Sequence, residues 1–436
     1  MIYYRSAVVE TSGEPLTRAA ALAASGLFGT YVVYEGTEGW AIAGDAAAEI
    51  VVGADTVRCT RDGVTTEASW EGDPLDVVRE FLAGLSIADW RAYGWCAFEL
   101  SYALLGQPVD DGVLLHLVIP RTEVRFTASR AVIRSLDQYG MSAVEKELVA
   151  PLQEFTSVDA ARADLEIGAE QYLSGVASVV RDIEDGLLQK AVLSRVVPLG
   201  EEIDFPASYV IGRRANTPAR SFLLQMGGLR ALGFSPETVV EVDAGRQVVS
   251  QPLAGTRALT GDPQTNRTLR EDLLADPKEL HEHAISVKVA TDELVDPCDP
   301  ESVSVAEFMV VKERGSVQHL ASRVTGRLAD GNDAWDAFRA LFPAVTASGV
   351  PKRAAYDAIR AYETRPRGPY AGTVMTFSQD GAMDAALVLR SVYARGGQTW
   401  LQAGAGVVGH SRPERELEET REKLRCVAGC LQARSA

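Results

Sequence analysis

What most constrains this chain is the recurrence of short apolar, β-branched runs closed by turn residues. Thr30-Tyr31-Val32-Val33-Tyr34 and Glu49-Ile50-Val51-Val52-Gly53 open the pattern, which continues over residues 94–102 and 114–119 and from Val132. Runs this short, bounded this way, predict antiparallel strands. Further strands are predicted over residues 188–197, 221–225, 229–234 and 238–242, one is entered through Gly315-Ser316-Val317-Gln318-His319-Leu320, and a three-strand meander spans 370–377, 385–393 and 400–408. Helical periodicity marks residues 74–85, 169–185, 333–341 and 351–362. The expected fold class is α/β in the α+β sense, mainly antiparallel sheet with helices. At 436 residues the chain calls for two domains or one large two-layer domain. Residues 140–166 are polar and weakly periodic, so the division falls there: a strand-rich part over 1–165 and a second part over 166–436.

Charge narrows the partners. A net charge of −17 opposes long-range attraction to nucleic acid or to an acidic membrane, and a small anionic substrate would need local positive charge. The five cysteines lack zinc-type spacing and fit a reducing compartment; Cys426 and Cys430, one helical turn apart, read as core packing. The start of the chain, Met1-Ile2-Tyr3-Tyr4-Arg5, has no signal pattern, and no run approaches a membrane span, so a soluble cytoplasmic protein is expected.

The chemistry concentrates in the second part. Asp276-Pro277-Lys278-Glu279 predicts a helix start with a capping box, running to about Leu294. Glu279 and Glu282 share one face of it, beside a stripe of Leu280, Ala284, Val287 and Leu294. Ser411-Arg412-Pro413-Glu414 predicts a second capped helix, with Glu416 and Glu419 at the same spacing and Lys423 beyond. Such pairs are either solvated carboxylates favoured by the helix dipole or a hard-oxygen site. Convergence from two helices would suit Mg2+ better than zinc. His281 and His283 project to different sides and cannot both join a metal there, and the surrounding strands disfavour a di-iron bundle.

Single polar residues interrupt apolar strands. Lys190, within Leu188-Gln189-Lys190-Ala191-Val192, either snorkels or is held as a general base. Glu237, at the turn Ser235-Pro236-Glu237, is either solvated or a general acid. Arg390 is suited to fork onto a carboxylate, while His319 alternates with apolar neighbours as a packed strand residue would. The turn in Gln251-Pro252-Leu253-Ala254-Gly255-Thr256-Arg257 could offer backbone N–H groups to an anion. Gly404-Ala405-Gly406-Val407-Val408-Gly409 matches G-x-G-x-x-G, but the chain ends before a second strand and ribose-binding acid, which excludes a dinucleotide fold.

Taken together, Ser235-Pro236-Glu237, Pro252-Leu253-Ala254-Gly255-Thr256-Arg257, Lys278-Glu279-Leu280-His281-Glu282-His283, Gly315-Ser316-Val317-Gln318-His319-Leu320, Phe342-Pro343-Ala344-Val345-Thr346-Ala347-Ser348-Gly349 and Ala403-Gly404-Ala405-Gly406 resemble, in order and spacing, the chorismate-utilising enzymes. That family holds the isochorismate, salicylate, anthranilate and aminodeoxychorismate synthases. The resemblance runs from about Ala169 to the C-terminus. It implies a sandwich of two large, mainly antiparallel sheets with helices outside, the two parts interlocked as one unit. It also implies Mg2+ held by Glu282 and Glu419, with Glu279 and Glu416 reaching metal-bound waters, and the ion gripping the ring carboxylate of chorismate. Arg390, Tyr370 and the backbone near Gly404 would hold the pyruvyl carboxylate. Gly255, Thr256 and Lys423 would line the ring side, and His319, Thr346 and Leu389 would complete the substrate site.

In the relatives, a lysine at the position of Lys190 activates water for attack on ring C2, and a glutamate at that of Glu237 protonates the departing C4 hydroxyl. Anthranilate synthases carry another residue in place of Lys190 and use ammonia. Thr346, Tyr370 and Leu389 resemble the members that go on to eliminate pyruvate, so the expectation is a salicylate synthase of the siderophore-pathway type. Gln251 departs from the Glu common there but carries no assigned role. The resemblance implies a monomer with no glutaminase subunit. The rival expectations are an isochorismate synthase that stops at the first product, an aminating enzyme needing a partner, and a non-catalytic chorismate-binding paralogue.

Overall fold

The computed structural model describes residues 1–152, 154–156, 160–314 and 317–434. Its 21 strands form one continuous hydrogen-bonded sheet, antiparallel at every strand pairing among the described residues. Two arms meet at the long strands Gly39–Val52 and Leu115–Phe126, which pair from Ala41 with Arg125 to Val52 with Leu115. One arm continues through Arg91–Cys96, Thr373–Ser378, Met383–Leu387, Thr238–Val242 and Gln247–Ser250 to Val317–Arg327, which is flanked by Leu253–Ala258 and Ser304–Arg314. The other runs through Tyr31–Gly36, Arg220–Met226, Leu229–Ser235, Ser391–Arg395, Gln398–Val407 and Lys190–Leu199 to the short Gly349–Val350. Each arm therefore takes strands from both sides of residue 165.

Period-two alternation assigns each strand face to its own core. Val32 and Tyr34, with Phe222 and Leu224, point into a cluster between the arms, whereas Tyr31, Val33 and Leu223 point the other way. The outward set packs under the helices Pro15–Ala24, Phe205–Ala215 and Pro413–Ala428, through residues such as Leu16, Tyr209 and Leu424. Burial on both faces explains why these runs are continuously apolar.

Three sequence expectations change. Residues 138–149, within the weakly periodic stretch, are the helix Gln138–Val149: Asp137 caps it by accepting the Gly140 N–H at 2.7 Å, and Met141, Val144 and Leu148 form a narrow buried stripe. The expected strand over residues 94–102 ends at Cys96, and Leu100–Leu104 is a helix. The middle run of the meander is two strands, Met383–Leu387 and Ser391–Arg395, because Arg390 takes a φ of 51° and turns the chain. In the run 315–320 only Val317 onward can be assigned to a strand; Gly315 and Ser316 lie outside the described residues. Among the described residues no helix is long and apolar enough to cross a membrane.

One buried ion-pair network ties the arms together. Arg220 donates through Nε to both Asp384 oxygens, at 2.7 and 3.0 Å, and lies 3.1 Å from Glu241, while the Tyr34 hydroxyl donates to Asp384 at 2.7 Å. Removing one partner of a buried pair leaves the other charge uncompensated. Arg220→Ala is therefore expected to lower the unfolding free energy by about 3–5 kcal/mol in urea titration. Arg230→Ala, at the more exposed Glu202 pair, should cost far less. Equal losses would show that the bridge contributes nothing special.

Candidate active site

The helix Pro277–Leu294 begins as its sequence predicts: Asp276 accepts the N–H groups of Lys278 and Glu279 at 2.9 and 3.3 Å. The capping box does not close, because the Glu279 carboxylate turns to Arg257, 3.3 Å away. The helix Pro413–Ala428 also lacks its predicted box. Arg412 stands at its cap without a side-chain bond, and the Ser411 hydroxyl instead accepts the Val408 N–H at 3.1 Å. Both glutamate pairs are thus released from capping. Glu282 and Glu419 reach one cavity from these two helices, and Glu279 lies in the vestibule just outside it.

Each of the four carboxylates faces a cation. Lys190 is only 2% exposed and its Nζ sits 2.8 Å from Glu282 Oε1. Lys423 is 2.8 Å from Glu419 and donates to the Gly404 carbonyl at 2.8 Å, while Lys278 is 3.6 Å from the fully buried Glu416. Burial alone would raise Glu282, but Lys190 outweighs it and holds the carboxyl below its usual range. Glu279 and Glu416 go the other way, raised first by burial and then by the neighbouring Glu282 and Glu419 respectively. Burial would depress Lys423, yet Glu419 keeps it above its ordinary value.

With the lysines so engaged, no three acidic, histidine or cysteine groups among the described residues enclose a ready-made metal site. The donor set nevertheless fits a hard divalent cation. Glu282 and Glu419 face one cavity with Glu279 at its vestibule, and neither oxygen of Glu416 behind them makes a hydrogen bond of normal geometry. Gly406 keeps the space clear: a Cβ there would lie 3.0 Å from Glu282 Oε1 and 3.3 Å from Lys190 Cε. Gly255, at φ +76°, likewise admits Glu279, whose Oε2 would be 3.2 Å from an added Cβ.

The same cavity is lined by Glu237. Its carboxyl accepts the Leu253 N–H at 3.1 Å and is held by the Thr346 hydroxyl. Burial pushes it up to about 8 despite those donors and the charges of Lys190 and Arg390. A carboxyl in that range is protonated at neutral pH and can act as an acid. Arg390 Nη2 bonds His319 Nε2 at 2.8 Å, and His319 Nδ1 lies 3.0 Å from the Thr256 hydroxyl and 3.3 Å from the Gly255 carbonyl. An arginine can only donate, so Nε2 accepts and the ring proton is assigned to Nδ1. Burial, then Arg390, pushes His319 well below its ordinary range, in keeping with a neutral ring. Among the described residues no carboxylate pairs with Arg390 itself, which leaves its guanidinium available to an anion.

Of the residues singled out in the sequence, the cavity is bordered by Glu237, Gly255, Thr256, Glu282, His319, Thr346, Tyr370, Leu389, Arg390, Gly404, Glu419 and Lys423. Lys190 lies behind Glu282, Glu279 at the vestibule and Glu416 behind Lys278. Sequence reasoning gave no role to Lys278, Arg257 or Gly406. Lys278 had a signal: a cation in the first turn of a helix opposes the macrodipole and needs a local anion.

Residues 30–429 match the family described as chorismate binding enzyme. The chain is 41% identical over 410 residues to a salicylate synthase of Mycolicibacterium paratuberculosis, covering 93% of this chain and 90% of that protein. The fold is similar to that of a menaquinone-specific isochorismate synthase from Escherichia coli, with a TM-score of 0.76 and 22% identity over 98% of this chain and 95% of that one. It is also similar to anthranilate synthase component I from Streptococcus pneumoniae, with a TM-score of 0.73 and 24% identity over 92% and 93%.

The crowding of Glu416 has a measurable cost. In chelator at pH 7.5, Glu416→Gln is expected to raise the unfolding free energy by about 1 kcal/mol, the scale of one unsatisfied buried group. Because the folded-state value of Glu416 is raised, the wild type takes up a proton as pH falls, and the advantage of the glutamine should shrink toward pH 5. Urea titrations at the two pH values test this, and destabilisation by the substitution would contradict it.

Proposed function

The chain belongs to the family of chorismate-binding enzymes, and from that premise we propose that it is a salicylate synthase, which converts chorismate to isochorismate and then to salicylate and pyruvate. The observation that carries the reading is the placing of two buried groups at one cavity. Lys190 lies behind Glu282, and Glu237, protonated at neutral pH, lines the cavity. The 41% identity to a salicylate synthase over almost the whole chain supports the second step, as do Thr346, Tyr370 and Leu389 at the cavity wall.

Hydration requires a base and an acid at different ring carbons. Lys190 acts as the base and takes a proton from water as the oxygen attacks C2. Glu237 gives its proton to the C4 hydroxyl, which leaves as water, so the net change is an isomerisation. Thr346 and the Leu253 N–H then stabilise the carboxylate left on Glu237. Arg390, aimed by His319, and Tyr370, whose hydroxyl lies against Gly404, hold the pyruvyl carboxylate. In the second step the C2 hydrogen passes to the enolpyruvyl carbon as the C–O bond breaks, and the ring becomes aromatic. There the protein acts by holding the side chain in its reactive conformation.

Mg2+ is the proposed cofactor, with Glu282 and Glu419 as its ligands and Glu279 and Glu416 in support. When bound, it supplies the positive charge that grips the ring carboxylate. We further read the chain as a cytoplasmic, self-sufficient monomer, with residues 1–165 and 166–436 forming one interlocked unit.

Incubation with chorismate and Mg2+, with and without ammonium, tests the reading. Salicylate with equimolar pyruvate, indifferent to ammonium and lost with chelator, is expected by chromatography with fluorescence detection. Isochorismate alone would remove the second step, and an amino product would overturn the role of Lys190. Lys190→Ala is expected to slow hydration by about 10²–10⁴-fold while sparing conversion of supplied isochorismate. Since Glu237 must be protonated to act, the hydration rate should fall as pH rises through about 8. A flat rate from pH 7 to 9 would remove Glu237 as the acid.

A further inference from the structure

Behind the cavity, and not part of its wall, lies a buried arginine that the reaction as described does not use. Arg367 pairs with Glu363, and their side chains are 1% and 6% exposed. Its Nη1 donates to the Ala347 carbonyl at 2.8 Å, its Nη2 to the Val192 carbonyl at 2.5 Å, and its Nε to both Glu363 oxygens at 3.2 and 3.0 Å. Glu363 also accepts the Ser194 N–H at 2.7 Å. The main-chain N–H groups of Arg367 and Gly368 are fixed in turn by Glu99, at 2.7 and 3.0 Å. The guanidinium stacks over Phe98 at 4.5 Å and faces the Tyr370 ring at 5.7 Å.

These contacts go to three segments, each of which carries a residue of the site. Val192 and Ser194 follow Lys190 on its strand, Ala347 follows Thr346, and Tyr370 lies three residues beyond Arg367 itself. Resting on the salicylate-synthase reading, we propose that Arg367 is a positioning residue: it clamps the Thr346 loop to the Lys190 strand and so seats Glu237 for proton transfer. A lysine could not do this, because the clamp uses the planar fork to reach acceptors on separate segments at once. Stability alone does not account for it either, since a buried ion pair roughly breaks even against apolar residues of the same volume. The link to the chemistry is short. The residue before Ala347 is the one whose hydroxyl holds Glu237.

The test compares Arg367→Lys, Glu363→Gln, Thr346→Val and the double variant Arg367→Lys/Thr346→Val by kcat, KM and pH profile for isochorismate formation. Loosening the clamp withdraws the Thr346 donor, which now lowers Glu237, so Glu237 should keep its proton to higher pH. Expected for Arg367→Lys and Glu363→Gln is a kcat lower by about tenfold or more with KM within about threefold, the mark of geometry lost in the transition state. The alkaline limb should move to higher pH, as in Thr346→Val, and the double variant should be no more than about threefold slower than the slower single one. Losses that multiply, or a limb that stays at its wild-type position, overturn the clamp. Glu363→Gln keeps an acceptor for the Ser194 N–H and the same volume, so it carries the test if Arg367→Lys does not fold. If neither folds, Arg367 belongs to the core and the proposal falls. The wild-type product decides the salicylate-synthase reading separately: salicylate with an unshifted limb refutes the clamp alone, and isochorismate with a shifted limb refutes the final product alone.

Discussion

Placing Lys190 and Glu282 2.8 Å apart beneath a cavity forces the rest of the interior to balance charge. Such a pair gives little or no net stability over apolar residues of the same size, because desolvation consumes the attraction. Three further carboxylates within reach make matters worse, and two of them, Glu279 and Glu416, are raised first by burial and then by the neighbouring Glu282 and Glu419 respectively. The chain responds with Arg257, Lys278 and Lys423, one beside each of the remaining acids. What makes this arrangement tolerable is the apolar area elsewhere. The two sheet arms bury one cluster between them and a second beneath the helices, and both are far larger than the polar cavity.

How much of this could be read from the sequence depended on whether the signal was local. The start of the helix Pro277–Leu294 was legible, since Asp276 and Pro277 act within one turn. Its capping box was not, because Glu279 has a stronger partner in Arg257, brought in from a different strand. The same failure recurs at Ser411, whose hydroxyl serves the preceding turn. Alternating apolar runs located most strands but not the break at Arg390, where a non-glycine residue takes a positive φ. The helix Gln138–Val149 hid because its buried stripe is only three residues wide on a charged background.

Within the site, polar residues set in or between apolar strands were conspicuous, and Lys190, Glu237 and Arg390 stood out for that reason. Arg367 did not, although it is as buried as Lys190. It sits in the polar, proline-containing run Thr364-Arg365-Pro366-Arg367-Gly368, where an arginine looks like an ordinary surface loop residue. Its importance arises only from what the fold brings to it: beside the nearby Glu363 carboxylate, two carbonyls from other segments of the chain.

The acidic surface raises the question of how the chain would accept a substrate with two carboxylates. At physiological salt, exposed charges are screened over about 8 Å, so the field inside the cavity matters more than the net charge of −17. There Arg390 is half-buried, and among the described residues no carboxylate forms an ion pair with it. Its charge is disfavoured first by burial and would be steadied by an incoming anion. His319 aims that charge without competing with it, because a ring held well below its ordinary range stays neutral through the physiological interval. Glu237, at about 8, is the cavity acid whose protonation changes just above neutrality. In the proposed mechanism, anion holding and proton delivery thereby fall to groups that titrate in separate ranges, so a change in pH would halt the chemistry without loosening the proposed grip on the pyruvyl carboxylate.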